Sequence, residues 1–153
     1  MSKPIDEVAG LTAPFVHTRR IRFGESDAAG IVYTGNFPLL ALEAVEEWFA
    51  LWGDAEWYDI NARQGFGTPF VHLSLDLKAP LRPAEVLAMT VTLPEVGTSS
   101  MTFAVEGRRP DGVLSFTATL MCVTARPAEE KTIPIPAPLR ARIDAYRAAC
   151  GRA

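Results

Sequence analysis

Fifteen residues, FGESDAAGIVYTGNF from Phe23 to Phe37, gather two carboxylates (Glu25 and Asp27), three glycines, Tyr33 and Asn36. A carboxylate beside a bond to be broken serves as general base or nucleophile. Backbone N–H groups at the start of a helix lack an intrahelical partner and suit an oxygen on which charge develops. Together these are what acyl-group cleavage requires. The same residues also suit a plain turn. Loop aspartates commonly bond nearby backbone, and Asn36 stands where an N-cap belongs, with Pro38 in the first turn that follows. Residue types alone leave both readings open.

The elements on either side must position this segment. Phe15 to Phe23 reads as a strand, with Phe15, Ile21 and Phe23 on one side and Thr18, Arg20 and Arg22 on the other. From Phe37 to Trp52 the spacing of Phe37, Leu40, Ala44, Trp48 and Leu51 is helical. Leu39, Leu42, Val45 and Phe49 add apolar residues on other sides, which predicts a helix buried over most of its girth, with Glu43, Glu46 and Glu47 as its polar strip. Gly53 fits the position just past the end. Asp54 to Gln64 reads as a short helix or a loop. Four strands follow, each alternating. Val71, Leu73, Leu75 and Leu77 mark the first, and Leu87, Met89, Val91 and Leu93 the second. Met101, Phe103 and Val105 mark the third, and Leu114, Phe116, Ala118, Leu120 and Cys122 the last. RRPDGV, Arg108 to Val113, has hairpin-turn chemistry. APLRARIDAYRAA near the C-terminus predicts a short, peripheral amphipathic helix. Consecutive strands with short turns argue for an antiparallel sheet in an α+β fold, with the long helix covering one face.

Bulk properties narrow the function classes. The chain has 153 residues, 48% hydrophobic and 22% charged, which suits one globular domain over 1–153. Its core spans about 15–136 and its C-terminal helix about 137–150. A net charge of −3 argues against a nucleic-acid surface. No apolar run is long enough for a membrane span, and MSKPIDEVAG lacks the apolar core of a secretory signal, so the expectation is a cytoplasmic protein. Two cysteines, Cys122 and Cys150, and two histidines, His17 and His72, suggest neither a disulfide framework nor a metal site. A surface or satisfied role is the simpler reading of both histidines.

Three segments, in order, resemble the hotdog-fold acyl-CoA thioesterases of the 4-hydroxybenzoyl-CoA thioesterase type. They are RFGESDAAGIVYTGNF with its D-x-x-G-x-V-Y core, GFGTPFVHLSLDLKAPLRPAEVL from Gly65 to Leu87, and EVGTSSMTFAVEG from Glu95 to Gly107. The resemblance covers roughly Phe15 to Pro136. It implies a five-stranded antiparallel sheet wrapped around one long central helix. It also implies a homodimer or homotetramer that completes its sites between subunits, and an acyl-CoA substrate with an aryl or a short to medium acyl group. No cofactor or metal is implied. Asp27 matches the catalytic carboxylate, as nucleophile or general base, and the Thr34 backbone N–H matches the donor to the thioester oxygen. Gly30, Ile31, Tyr33, Gly35, Gly67, Thr68 and Pro69 match the substrate-binding positions. Arg82, Thr98, Ser99, Ser100, Arg126 and Lys131 are the candidates for the coenzyme A end.

The chain departs from its relatives at two points. Thr34 stands where a related bacterial subgroup carries a second catalytic histidine. Gly97, Thr98 and Ser99 stand where an aromatic-acyl relative carries Arg and Lys. Glu25 reads as a solvated companion of Asp27. Glu43 or Glu46 is the reserve catalyst, since a second subgroup uses a helix glutamate after a Gly-Gly helix start that this chain lacks. Trp48, Trp52, Phe66 and Phe70 read equally as acyl-pocket wall and as core. An acyl-carrier-protein thioesterase, a non-catalytic acyl-binding hotdog protein and a hotdog hydratase are the competing classes. The hydratase would want a histidine beside Asp27.

Overall fold

The computed structural model describes residues 11–151, so the MSKPIDEVAG segment read above lies outside them. The chain runs β1 (Phe15–Arg20), α1 (Phe37–Leu51), α2 (Trp57–Ala62), β2 (Phe70–Leu77), β3 (Val86–Val96), β4 (Ser100–Arg108) and β5 (Leu114–Val123). A two-stranded ribbon, β6 (Ala125–Arg126) and β7 (Lys131–Thr132), and α3 (Ala137–Cys150) complete it. The five long strands form one antiparallel sheet in the order β1-β3-β4-β5-β2. α1 lies on its concave face, which is the hotdog arrangement. Among the described residues, no helix is long and apolar enough to cross a membrane.

Period explains the core. On α1, Phe37, Leu40, Ala41, Ala44, Val45, Trp48 and Phe49 are buried, an i, i+3, i+4 stripe that continues into Trp52. Leu87, Met89, Val91 and Leu93 meet it from β3, Met101, Phe103 and Val105 from β4, and Phe116, Ala118, Leu120 and Cys122 from β5. Ala41 and Ala44 let the helix approach the sheet closely, and Trp48 packs edge-on against Phe49, Phe103 and Tyr146 at ring separations of 5.2 to 5.4 Å. Trp48, Trp52 and Phe66 are therefore core. The hairpin at Arg109–Val113 closes with the predicted chemistry: Gly112 has φ +81°, and Asp111 Oδ1 accepts the Val113 N–H.

Four expectations need correction. Phe23 is not an inward strand residue; β1 stops at Arg20, and Phe23, in a 3-10 turn, is 85% exposed. α1 is buried or half-buried over most of its girth, with Glu46 exposed as expected of the polar strip, but Leu39 is not part of its apolar cover and is 63% exposed. β2, at one end of the sheet, alternates in sequence but has no buried face: Val71, Leu73 and Leu77 are exposed because nothing among the described residues covers them. α3 is not peripheral. Leu139, Ile143 and Tyr146 are buried on it, and Tyr146 packs on Trp48 and Trp52.

The Tyr146 hydroxyl completes the β1–β3 ladder. It accepts the Phe15 N–H at 2.8 Å and donates to the Val91 carbonyl, and Phe15 and Val91 face each other in the register. Burial pushes the Tyr146 phenol well above its ordinary range, which keeps it a neutral donor. Tyr146→Phe should leave a buried donor and a buried acceptor without their shared partner. Chemical denaturation should show a loss of about 1–3 kcal/mol with an unchanged slope.

Candidate active site

The chain leaves β1 through Ile21, which is anchored by Ile21 N–H to Glu85 O and Ala84 N–H to Ile21 O. A 3-10 turn at Phe23–Glu25 follows, and then Ser26 and Val32 pair across a tight loop. Inside that loop the Asp27 N–H donates to Ile31 O at 2.9 Å, and the Gly30 N–H donates to Asp27 O at 3.0 Å. Asp27 Oδ1 accepts the Ala29 N–H at 2.8 Å. Gly30 closes the loop at φ +73°, a conformation that favours glycine. Asp27 is thus a turn aspartate in its contacts. Its carboxylate is nevertheless exposed, and Oδ2 makes no hydrogen bond among the described residues.

The loop returns to the body through Val32, whose N–H donates to Leu81 O at 2.8 Å. A 3-10 turn at Thr34–Asn36 then leads into α1. The N–H groups of Thr34 and Gly35 open this turn and have no earlier carbonyl of the turn to meet. Gly35 is needed for packing: a Cβ there would sit 2.6 Å from Cε1 of the Tyr33 ring. Asn36 is not a side-chain cap. It lies in the αR region, and its Nδ2 donates to Glu25 O at 2.9 Å. The same carbonyl accepts the Tyr33 N–H at 3.0 Å.

Glu25 is not a solvated companion either. Its Oε1 accepts from Arg19 Nη1 and its Oε2 accepts the Arg22 N–H, each at 2.7 Å. Burial raises its pKa, but the Arg22 N–H and the Arg19 guanidinium outweigh that and hold the carboxyl below the ordinary range. Glu43 leaves the polar strip: its Oε1 lies 2.9 Å from His17 Nε2 and 3.1 Å from Arg19 Nε. Sequence reading missed these roles of Arg19, Glu25 and Asn36, because two of the contacts end on a backbone carbonyl. Cys122 is no nucleophile candidate, since burial pushes its thiol up to about 12.

A second cluster lies farther along α1. Leu42, Trp57, Asn61, Thr68, Pro69, Phe70 and Pro127 line a mostly apolar cavity of about 410 Å³. Gly67 exchanges hydrogen bonds with Ala125 at 2.8 and 3.0 Å, which brings the β6–β7 ribbon to the cavity rim. A Cβ on Gly67 would meet Asn61 Oδ1 at 2.6 Å. Thr68 is buried, and Pro69 O accepts the Val123 N–H. Trp57 and Asn61 come from α2, the segment left open between helix and loop. Phe70 lines the cavity as one of its two sequence readings held, whereas Trp48, Trp52 and Phe66 do not.

The coenzyme candidates divide. Arg82 is exposed next to Leu81, the anchor of the Asp27 loop, and its N–H donates to Glu85 Oε2. Arg126 and Lys131 are exposed and face each other across the ribbon, with Glu129 3.9 Å from Arg126. Thr98 O accepts the Ile135 N–H, Ser99 O accepts the Thr124 N–H, and Ser100 O accepts the Gly97 N–H. The Thr98 and Ser99 carbonyls stitch the β3–β4 turn to the C-terminal segment, and the Ser100 carbonyl closes the turn on itself. Asp27, Gly30, Ile31, Tyr33, Thr34, Gly35 and Arg82 thus gather at the start of α1. Thr68 and Pro69 line the cavity, Gly67 and Arg126 adjoin lining residues in the chain and Lys131 pairs with Arg126, whereas no residue between 27 and 35 and none of Thr98, Ser99 and Ser100 lines it.

Known proteins share this fold. A thioesterase-superfamily protein from Jannaschia sp. CCS1 is 38% identical, with a TM-score of 0.80 over 86% of this chain and 91% of that one. A 1,4-dihydroxy-2-naphthoyl-CoA thioesterase from Synechocystis is 25% identical, with a TM-score of 0.80 over 85% of this chain and 95% of that one. A 1,4-dihydroxy-2-naphthoyl-CoA hydrolase from Nostoc punctiforme is 26% identical over 126 residues, 78% of this chain and 81% of that protein. Residues 21–143, which hold the Asp27 loop, α1, the cavity residues and four of the five long strands, match the family described as the thioesterase-like superfamily, and the chain belongs to it.

Proposed function

We propose that the protein hydrolyses an aryl-CoA thioester to the free acid and coenzyme A. The observation that carries this reading is the exposed Asp27 carboxylate, held in the tight turn that leads into the open N–H groups of Thr34 and Gly35 at the start of α1. Asp27 attacks the thioester carbon, or removes a proton from an attacking water. In either case the carbonyl oxygen takes up negative charge, which the Thr34 and Gly35 N–H groups stabilise. Collapse expels the coenzyme thiolate. In the first route a mixed anhydride on Asp27 remains, and water then cleaves it to acid and free carboxylate.

The aryl preference rests on the cavity and on the relatives. About 410 Å³ is small-ligand size, Trp57 and Phe70 supply flat apolar walls, and Asn61 and Thr68 supply polar atoms at the edge. Leu42 lies five residues into α1 from Phe37, about 8 Å along the axis at 1.5 Å per residue. That distance suits a compact ring system better than a long chain. Two of the similar proteins are named as naphthoyl-CoA hydrolases. The coenzyme end is assigned to Arg82, Thr98, Ser99, Ser100, Arg126 and Lys131. Arg82 lies next to the anchor of the Asp27 loop, Arg126 and Lys131 lie on the ribbon and Thr98, Ser99 and Ser100 lie at the β3–β4 turn, so a second subunit is the natural way to bring them around one ligand.

That subunit has a place to dock. β2 ends the sheet with an unpaired edge and exposes Val71, Leu73 and Leu77, a surface that invites strand pairing. The assembly proposed is a homodimer, or a homotetramer made of two dimers. Light scattering at micromolar concentration should give a dimer or tetramer, and Leu73→Glu should shift it toward monomer with loss of turnover. A parent protein that is monomeric and active would sink the shared site.

Asp27→Asn should lower kcat by at least about 100-fold while leaving folding and aryl-CoA binding intact. Near-normal kcat in that variant, with Glu46→Gln inactive, would move the chemistry to the helix. A single turnover in ¹⁸O-water tests the nucleophilic route: label in the Asp27 carboxylate identifies it as the nucleophile. Leu42→Trp, which fills the cavity, should reduce kcat/KM for a bicyclic aryl-CoA at least about tenfold and spare a two-carbon acyl group.

A further inference from the structure

Four side chains tie the Asp27 loop to the body of the molecule, and they meet at Arg19. This residue is largely occluded on β1, its side chain 15% exposed. Its Nη1 reaches Glu25 Oε1 at 2.7 Å, and its Nε reaches Glu43 Oε1 at 3.1 Å. His17, two residues earlier on β1, places Nε2 2.9 Å from that same Glu43 oxygen. Glu25 is therefore fixed on both carboxylate oxygens, one by Arg19 and one by the Arg22 N–H. Its carbonyl then accepts the Tyr33 N–H and the Asn36 amide, the two residues that bracket Thr34 and Gly35.

We propose that Glu25, clamped by Arg19, is a positioning residue that sets where the Thr34 and Gly35 N–H groups point, with Glu43 and His17 holding Arg19 in place. The inference rests on the hydrolysis proposed above and names what aligns its oxyanion donors. The geometry explains the concentration of charge. An ion pair this near the surface contributes little to stability by itself, but a carboxylate held at both oxygens immobilises its own backbone, and here that backbone carries the two bonds that shape the turn. Oxyanion donors act only within hydrogen-bond reach of the developing charge, and a displacement of about 1 Å costs on the order of 100-fold in rate. Ground-state binding, by contrast, draws on the cavity and the coenzyme contacts. Disturbing Glu25 should therefore appear in kcat and leave KM nearly unchanged.

The test compares the parent with Glu25→Gln, Arg19→Met and the double variant, on whichever aryl-CoA of a panel the parent hydrolyses fastest. Each single variant should lose about 10- to 100-fold in kcat with KM within about twofold. The double variant should be no worse than the worse single, because the two residues act as one unit. Amide hydrogen exchange should accelerate at Tyr33 and Asn36, whose N–H groups bond within this turn, in both singles and stay unchanged in β4 and α3. Parent-like kcat in folded Glu25→Gln, additive losses, or unchanged exchange at Tyr33 and Asn36 would each overturn the proposal. If Glu25→Gln fails to fold, Arg19→Lys keeps the charge but cannot span both carboxylates, and parent-like kcat and exchange in it overturn the proposal equally. A parent inactive on every aryl-CoA would defeat the hydrolysis reading, while the exchange measurements would still decide whether Glu25 orders the turn.

Discussion

One helix has to be wrapped by one sheet, and everything else in this molecule answers to that. A five-stranded sheet has a single apolar face to bury, and α1 is the only long element available between β1 and β2 to cover it. Ala41 and Ala44 bring the helix close, so its azimuth and depth are set by packing. Its ends are fixed separately. At the start, the Phe37 ring meets Phe116 edge-on with centroids 5.4 Å apart. At the far end, Trp48 and Trp52 are closed over by Tyr146 from α3. A helix held at both ends presents its first N–H groups at a defined point in space, which is what a loop-borne carboxylate needs beside it.

That defined point carries a cost. Unpaired backbone donors are tolerated only where water or a ligand can reach them. Thr34 and Gly35 meet the requirement by being exposed, as are Ala28 to Gly30 across the loop. The loop cannot be buried to stiffen it, because burial would strand those donors. It is stiffened instead by hydrogen bonds: Asp27 with Ala29 and Ile31, Val32 with Leu81, and the paired bonds on the Glu25 carbonyl. An open site and a rigid one are reconciled by polar contacts where most of the fold uses apolar packing.

How far the sequence discloses this depends on what each contact is made of. β3, β4 and β5 were readable because alternation and burial coincide there, and α1 was readable from its stripe. β2 carries the same alternation yet no buried face, since period reports a strand and is silent about whether anything covers it. α3 looked marginal because only Leu139, Ile143 and Tyr146 mark its inner side. Nothing local says that one tyrosine hydroxyl will bridge two strands. The position of Asp27 was legible through the resemblance and not through its residue type. Asn36 was misread because a capping pattern and a long-range bond to a carbonyl eleven residues back look alike in sequence. Trp57 and Asn61 were missed because α2 is too short to show a period.

The coenzyme end follows from the same logic. The β3–β4 turn, where relatives were expected to differ from this chain, spends its Thr98, Ser99 and Ser100 carbonyls on internal bonds, two of them to the C-terminal segment. What it still offers a ligand is hydroxyl groups, which position a phosphate or an amide but attract it only at short range. The exposed cations Arg126 and Lys131 sit on a ribbon with Glu129 and Glu130 beside them, so their long-range pull is partly cancelled. On the proposed coenzyme assignment, recognition at this end would be governed by contact geometry more than by charge. Screening by salt acts on long-range attraction and leaves short hydrogen bonds largely alone. On the proposed function, the selection of a substrate then falls to the apolar cavity, where Trp57, Phe70 and Leu42 would decide by shape.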